Sequence, residues 1–511
     1  MAFLPKEKVD RALKLSIMDG FFATIMGSLA GGIFLMGYAL KVLKAANYQI
    51  GILASLPLFA NLIQLFGAYI IEKTGKRKSL CSLGILASRI LWVFVIMLPL
   101  FVFRPIIDYR VWVLVIIIAV SSFFGSLSGV AWLSWMSDLV PEETRGSYFG
   151  KRNMISGAAG MVMVLAGGKF IQYWEASRGE GDPIGYMFLF GVGLLAGLVA
   201  YIFLVKTPDV TKSVEEKAEA VNLKMFLKPL EDRNFRKLLF FVSFWIFAIQ
   251  FAGPFYGVYM IENLKIDFAK IAIFNTAATL ATLVMMKVMG GITDRLGNKP
   301  AIIVSGMVLV GVPYFWIFST PENYLPLLYG AHIIGGAFLA SLSLANFNVS
   351  IKLSPREGRA AYLAVFAALT GLVGASAPIL SGAISNILGD GVRQLGPLAL
   401  GNLHVIFLAS SVMQLLSLTL ILPVKEPKAA PPIAVILALR NDLNPTTGIS
   451  GALDFTMMEV EKGKGILRKV DEVTDKMAAK GEEVVGRAVG RAEPFIRKIL
   501  GRIYRFLKSE D

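Results

Sequence analysis

A single cysteine, Cys81, and two histidines, His332 and His404, are all the chain offers of the residue types that build disulfides, thiolate centres and imidazole metal sites. One cysteine excludes an intramolecular disulfide, and its place in an apolar segment favours a packed thiol over a reactive one. No His-x-x-x-His, Cys pair, G-x-x-x-x-G-K-[S/T] phosphate loop or nucleophile elbow occurs. A catalytic centre, a metal, a cofactor and a nucleotide-driven pump are therefore all unexpected. Charge is scarce as well: charged residues make up 17% of the chain, against roughly 25% in ordinary soluble domains.

What is there instead is apolar. Hydrophobic residues reach 55% of 511 and the mean hydropathy is +0.64, values of a membrane protein. Runs long enough to cross ~30 Å of hydrocarbon as helices recur near 13–42, 47–71, 79–103, 111–138, 151–173, 184–206, 236–262, 267–291, 300–320, 324–350, 360–387 and 399–423. They are helices because they are about twice a barrel strand's length and do not alternate. The first run exceeds the ~7 to 15 residue core of a cleavable signal and is expected to remain as a span. The expected class is an all-α membrane protein.

The net charge of +15 raises the question of nucleic acid, but the cations are spread over short loops and the C-terminal tail rather than interleaved with aromatics. No nucleic-acid partner is expected. With the N-terminus in the cytoplasm, that side collects Lys6, Lys8, Arg11, Lys14, the Lys73 to Lys78 cluster, Arg145, Lys151, Arg152, Arg295, Lys299, Lys352, Arg356 and Arg359. The positive-inside rule then places both termini in the cytoplasm of a cell-membrane protein.

The chain is internally duplicated. G-G-I-T-D-R-L-G-N-K at Gly290 to Lys299 is echoed by A-Y-I-I-E-K-T-G-K-R at Ala68 to Arg77, offset by 222 residues between Gly75 and Gly297. P-E-E-T-R-G-S-Y from Pro141 returns as P-R-E-G-R-A-A-Y from Pro355, offset by 214. The resulting division is 1–206, a polar linker 207–235, 236–423 and a tail 424–511.

The duplicated loop resembles the G-x-x-x-D-R-x-G-R-R signature of major facilitator superfamily transporters. The second copy matches well, and the first departs, with Ala68, Glu72 and Lys73 at the glycine, aspartate and arginine. The resemblance implies twelve transmembrane helices in two pseudo-symmetric six-helix halves and a solute carried by alternating access. It also implies gating loops, here Glu72, Lys73, Arg77, Asp138, Arg145, Asp294, Arg295 and Arg359. Glu72 should approach the start of span eleven near Gly358 and Arg359, Asp294 the start of span five near Gly146 and Lys151, and Asp138 should join Lys73 or Arg77. In the family spans one, four, seven and ten line the cavity, which nominates Trp132, Gln250, Phe251, Tyr256 and Asn346.

Two readings rest on the residues themselves. Asn61 and Gln64 share a face of span two and are further cavity candidates. Asp19 and Arg89 lie deep in spans one and three, where a charge costs at least ~2.5 to 3.5 kcal/mol, so they are expected to pair, as a fold-fixing salt bridge or as a proton-linked switch. The aromatic, amide-rich set favours a neutral or amphipathic small-molecule substrate. A non-transporting assembly factor or subunit of a larger complex, and a lipid translocase, are the alternatives.

The tail has its own pattern. Ile466, Leu467, Val470, Val473 and Met477 form one stripe, and Val485, Val489, Ala492, Ile496, Ile499, Ile503 and Phe506 another, opposed by Arg487, Arg491, Arg497, Lys498, Arg502, Arg505 and Lys508. Such a basic amphipathic helix suits anionic membrane lipid, or a protein partner through 456–508. Deleting 440–511 is expected to leave the membrane fold and transport intact while weakening binding to anionic vesicles or a partner; loss of folded monomer in detergent would contradict this.

Overall fold

In hydrocarbon the backbone must satisfy its own hydrogen bonds, and the apolar runs do so as helices. The computed structural model describes residues 6–101, 107–141, 144–209, 227–355, 359–389, 391, 393–395 and 398–442. The first half comprises α1 (Lys6–Ala30), α2 (Gly32–Gly37), α3 (Asn47–Ala60), α4 (Ile63–Thr74), α5 (Arg77–Phe101), α6 (Ile107–Leu139), α7 (Arg145–Arg178) and α8 (Pro183–Lys206). After the short α9 (Lys228–Glu231), the second half comprises α10 (Arg233–Val258), α11 (Phe268–Leu296), α12 (Asn298–Ile317), α13 (Tyr324–Leu353), α14 (Arg359–Leu388) and α15 (Asn402–Ile421). A hairpin of β1 (Arg393–Leu395) and β2 (Leu398–Leu400) pairs Arg393 with Leu400 ahead of α15, and α16 (Pro432–Asp442) follows.

Among the described residues, eleven helical stretches are each long and apolar enough to cross a membrane. The twelfth crossing is α3 with α4, broken at Asn61 and Leu62, four residues after Pro57. Proline removes a helix hydrogen bond and crowds the preceding turn. The first crossing is broken too: α1 and α2 part at Gly31, and Gly32 has φ +51°, a left-handed conformation natural to glycine.

The duplication is visible in backbone detail. Each half ends its first crossing in a π turn, Tyr38–Val42 and Tyr259–Asn263, followed by a left-handed lysine, Lys44 at φ 56° and Lys265 at φ 51°. The turns are closed by matching bonds, from the Leu43 N–H to the Tyr38 carbonyl (3.1 Å) and from the Leu264 N–H to the Tyr259 carbonyl (2.9 Å). A buried serine pair also recurs between the third and fourth crossings, Ser88 with Ser121 at 2.8 Å and Ser305 with Ser341 at 2.7 Å.

The chain divides into two compact units, 1–436 and 437–511. Of the second only 437–442 are described, so the tail stripes lie outside the described residues. Within the first unit the segment after α15 folds back on the signature loop. The Glu426 carboxylate, its side chain fully buried, accepts from the N–H groups of Asn298 (2.9 Å) and Lys299 (2.6 Å), from Asn298 Nδ2 (3.0 Å) and from Lys352 Nζ (2.9 Å). It thereby meets the free N–H groups and positive dipole end at the start of α12. Lys299 Nζ donates to the carbonyls of Leu422 (2.7 Å) and Val424 (2.8 Å), and the Ala430 N–H to the Leu296 carbonyl (2.8 Å). Asn234, at the start of α10, bonds both backbone groups of Lys425.

Burial pushes the Glu426 carboxyl up, but the donors from Lys299, Lys352 and Asn298 outweigh it, and the group lies below its ordinary value of 4.5. A carboxyl depressed in the fold contributes stability that is complete above its ordinary value and is lost as pH falls from there through the folded value. Glu426→Gln is expected to cost about 1–3 kcal/mol at pH 7, read as a lower melting temperature in detergent, and to flatten the loss of stability below pH 4.5. Equal melting temperatures at pH 7 would contradict the assignment.

Candidate functional site: two cavities and a one-ended contact between halves

The two halves touch through α3 with α14 and through α7 with α11. The recorded contacts lie away from the signature loops. A Cβ at Gly51 would strike the carbonyl oxygen of Pro378, and one at Gly168 would come within 2.7 Å of the Ala269 nitrogen. Small residues permit this approach in lipid, where packing replaces the hydrophobic drive. Asn47 Nδ2 donates to Ser385 Oγ at 3.0 Å across the seam.

Phe268, from the second half, wedges into the first. Its ring lies 5.5 Å from Phe34 and 6.3 Å from Tyr186, under the Lys41 ammonium at 5.2 Å. Lys41 is held there by the largely buried Glu175 (2.9 Å) and by the exposed Glu180 (3.0 Å). The hydrogen bond from Lys41 holds the Glu180 carboxyl below its ordinary range. The core there draws on both halves, from Phe34 and Tyr38 to Phe255 and Phe407.

The other end carries the basic loops. Arg77 pairs with Asp138, as the resemblance implied for Asp138. Arg295 Nε donates to the Gly291 carbonyl at 3.0 Å in its own helix, and Lys73 is exposed. Asp294 is exposed and makes no ion pair among the described residues; the side chains at 145 and 146, at the start of α7, lie outside them. Arg359 is half-buried, its Nε without a partner. The side chains of Glu72 and Arg145 lie outside the described residues.

Asp19 and Arg89 are both buried, at 4% and 5% exposure. The ion pair recorded for Asp19 is with Arg152 of α7 at 3.7 Å, not with Arg89. Sequence reading missed Arg152 because it sits only two turns into its helix, where a loop-side cation is ordinary.

Two cavities open in the second half. The larger, about 450 Å³, is lined by Tyr256, Trp316, His332, Asn275 and Gln414, with Ile33 and Met36 from the first half. Tyr256 is stacked between Trp316 (4.5 Å) and Phe407 (4.8 Å). His332 Nδ1 lies 2.8 Å from the Leu328 carbonyl; a carbonyl only accepts, so Nδ1 carries the proton and Nε2 keeps a lone pair. The smaller cavity, about 310 Å³, is lined by Gln250, Asn346, Trp245 and Ser343. Asn346 Oδ1 and Trp245 Nε1 are buried there without partners, polar groups that a bound molecule can satisfy. No Asp, Glu, Lys or Arg lines either cavity.

The remaining candidates divide. Phe251 is buried behind the smaller cavity against Phe247 at 5.9 Å. Asn61 accepts from Gln64 (3.0 Å) and Ser126 (3.4 Å) at the break between α3 and α4. Trp132 lies under the Arg152 guanidinium at 4.3 Å. Trp245, Trp316 and His332 had no sequence signal beyond apolar spacing, and Glu426 had one: Val-Lys-x-Pro at 205–208 recurs at 424–427.

Gly51→Val places side-chain atoms against backbone, and overpacking of this kind costs about 1–3 kcal/mol. The expected result is a population shifted toward opening at this end, seen as faster alkylation of a cysteine placed at Asn47 in a Cys81-replaced background. Unchanged alkylation with normal expression would contradict the seam.

A profile of the Major Facilitator Superfamily matches residues 20–259 and 238–453. No curated protein matches the chain. Among solved structures it is similar to the nucleoside transporter NupG, at 12% identity and TM-score 0.62 over 84% of this chain and 99% of that one. It is similar to a bacterial homolog of the human lysosomal transporter Spinster in an inward-facing, unoccupied conformation, at 15% identity and TM-score 0.57 over 86% and 98%. It is also similar to the xylose transporter XylE from E. coli in an inward-open conformation, at 14% identity and TM-score 0.53 over 84% and 98%. With the duplicated loops, the twelve crossings and the profile match in agreement, the chain belongs to the major facilitator superfamily.

Proposed function

We propose that this transporter moves a small neutral or amphipathic solute by alternating access, with the second-half cavities as its binding region. The observation that carries the reading is the uncharged lining of both cavities, beside halves joined by close glycine contacts at Gly51 and Gly168. A volume of about 450 Å³ lies in the range of small-molecule sites. The absence of a lining charge disfavours a small ion as cargo, because a desolvated charge needs a counter-charge. The similar structures of a nucleoside and a xylose transporter support an uncharged solute. With the basic end in the cytoplasm, as the positive-inside rule has it, this state faces inward.

In the opposite state the loop acids Glu72 and Asp294 would meet the start of α14 and of α7, where free N–H groups attract a carboxylate, each contact contributing ~1 to 2 kcal/mol. The basic amphipathic tail would bind anionic membrane lipid.

Purified protein in sealed vesicles is expected to exchange a solute of this class, found by screening labelled neutral compounds. Tyr256→Ala and Asn346→Leu should each slow exchange by about tenfold or more, the loss of one or two binding contacts. Asp294→Asn and Glu72→Gln should instead raise labelling of a cavity cysteine from the basic side and lower it from the other. Exchange untouched by the cavity variants would remove the cavities from the pathway; unchanged labelling in both loop variants would make these loops mere turns.

A further inference from the structure

Asp19 is one carboxylate between two arginines. Arg152 lies 3.7 Å from its Oδ2, and the buried Arg89, on α5, is the second positive charge that acts on it. Arg152 also donates from Nε to the Ser16 carbonyl at 3.2 Å and covers the Trp132 ring. Arg89 lies 5.9 Å over the Tyr201 ring, and its Nη1 is buried with no hydrogen-bond partner. The indole Nε1 of Trp132 and the hydroxyl of Ser156, one turn beyond Arg152, are buried without partners as well. The other titratable groups facing the cluster are the Cys81 thiol on α5, the Tyr148 phenol on α7 and the Tyr201 phenol on α8. A thiol and two phenols add no second carboxylate to the cluster.

Two guanidinium charges thus share one carboxylate in an apolar interior, leaving one positive charge without a counter-charge among the described residues. Arginine keeps its proton, so the imbalance cannot be relieved by neutralising either side chain. A buried unpaired charge is expensive, and free buried donors add to the cost. We propose that this cluster binds one small monovalent anion, held by Arg89 and Arg152 with the Trp132 and Ser156 donors beside them. The Arg152 side chain is 16% exposed and Trp132 is half-buried, so an ion can enter from the basic end. The ligand chemistry is a compact single negative charge, supplied by a halide ion or by the carboxylate of an organic solute. This site lies in the first half, apart from the uncharged cavities of the second, and its occupancy can be measured without transport.

The test uses the full-length protein in detergent, in a halide-free sulfate buffer at constant ionic strength. Bromide, a heavy-atom quencher, is titrated while tryptophan fluorescence is followed. The site predicts a saturable quenching component that is missing in Trp132→Phe and is displaced by chloride or acetate. Displacement by chloride at concentrations no higher than acetate assigns an inorganic ion; stronger displacement by acetate assigns an organic carboxylate. Arg152→Gln should weaken the saturable component on the order of tenfold, and Asp19→Asn should tighten it by a similar factor because the competing carboxylate is gone. A purely structural ion pair would not produce that opposite sign. Quenching that stays linear and equal in the wild-type protein and Trp132→Phe overturns the proposal, as does a saturable component displaced by neither anion, or a weaker one in Asp19→Asn. The comparison with Trp132→Phe leaves the charges intact and stays decisive if the charge variants fail to fold.

Discussion

Backbone-to-backbone approach of four helices at Gly51 and Gly168 is the constraint on which the arrangement of this transporter depends. Helices in lipid gain little from burying apolar surface against one another, so closeness must come from small side chains and short-range packing. At this end the glycines admit a partner's backbone, Phe268 fills the remaining gap, and Lys41 covers its ring while pairing with Glu175 and Glu180. Joining the halves here by contact rather than by covalent linkage leaves them free to separate.

The basic end is built on the opposite plan. Among the described residues its ion pairs include Arg77 with Asp138, Arg152 with Asp19 and Lys352 with Glu426, each within one half. A core cluster at that end draws on the first half alone, around Trp135, Met136 and Leu139. Two internally braced bodies with one glycine-rich seam can rock without breaking their own networks, which is the physical requirement of alternating access. The halves are not braced alike. Glu426 caps α12 in the second, whereas the matching position in the first is Thr207, whose hydroxyl only returns to its own helix at the Phe203 carbonyl.

Much of the fold was legible because the membrane reduces the choices. Apolar runs of helix-spanning length and the repeated signature were enough to give the helical membrane fold and the family, and the helices agree with twelve crossings in two halves. The break at Asn61 was not legible, since an amide within an apolar run reads equally as a cavity residue. Local sequence also could not choose between Arg89 and Arg152 as the partner of Asp19, because which faces meet is decided by packing among α1, α5 and α7. Among the cavity candidates, Tyr256, Gln250 and Asn346 do line the cavities, while Phe251 does not; Gln250, Phe251 and Tyr256 lie on α10 within two turns, and only rotation about its axis separates them.

The central claim is that the two ends of the bundle open reciprocally about an intact pair of halves. Double electron–electron resonance measures it most directly, with Cys81 replaced and spin labels at Ser79 and Lys237 across the basic end or at Tyr109 and Glu322 across the other, all exposed positions. The account predicts two populations whose distances change in opposite directions at the two ends, with Gly51→Val moving weight from one to the other. A single unchanged distance at both ends, in the wild-type protein and in that variant, would show a rigid bundle and contradict it.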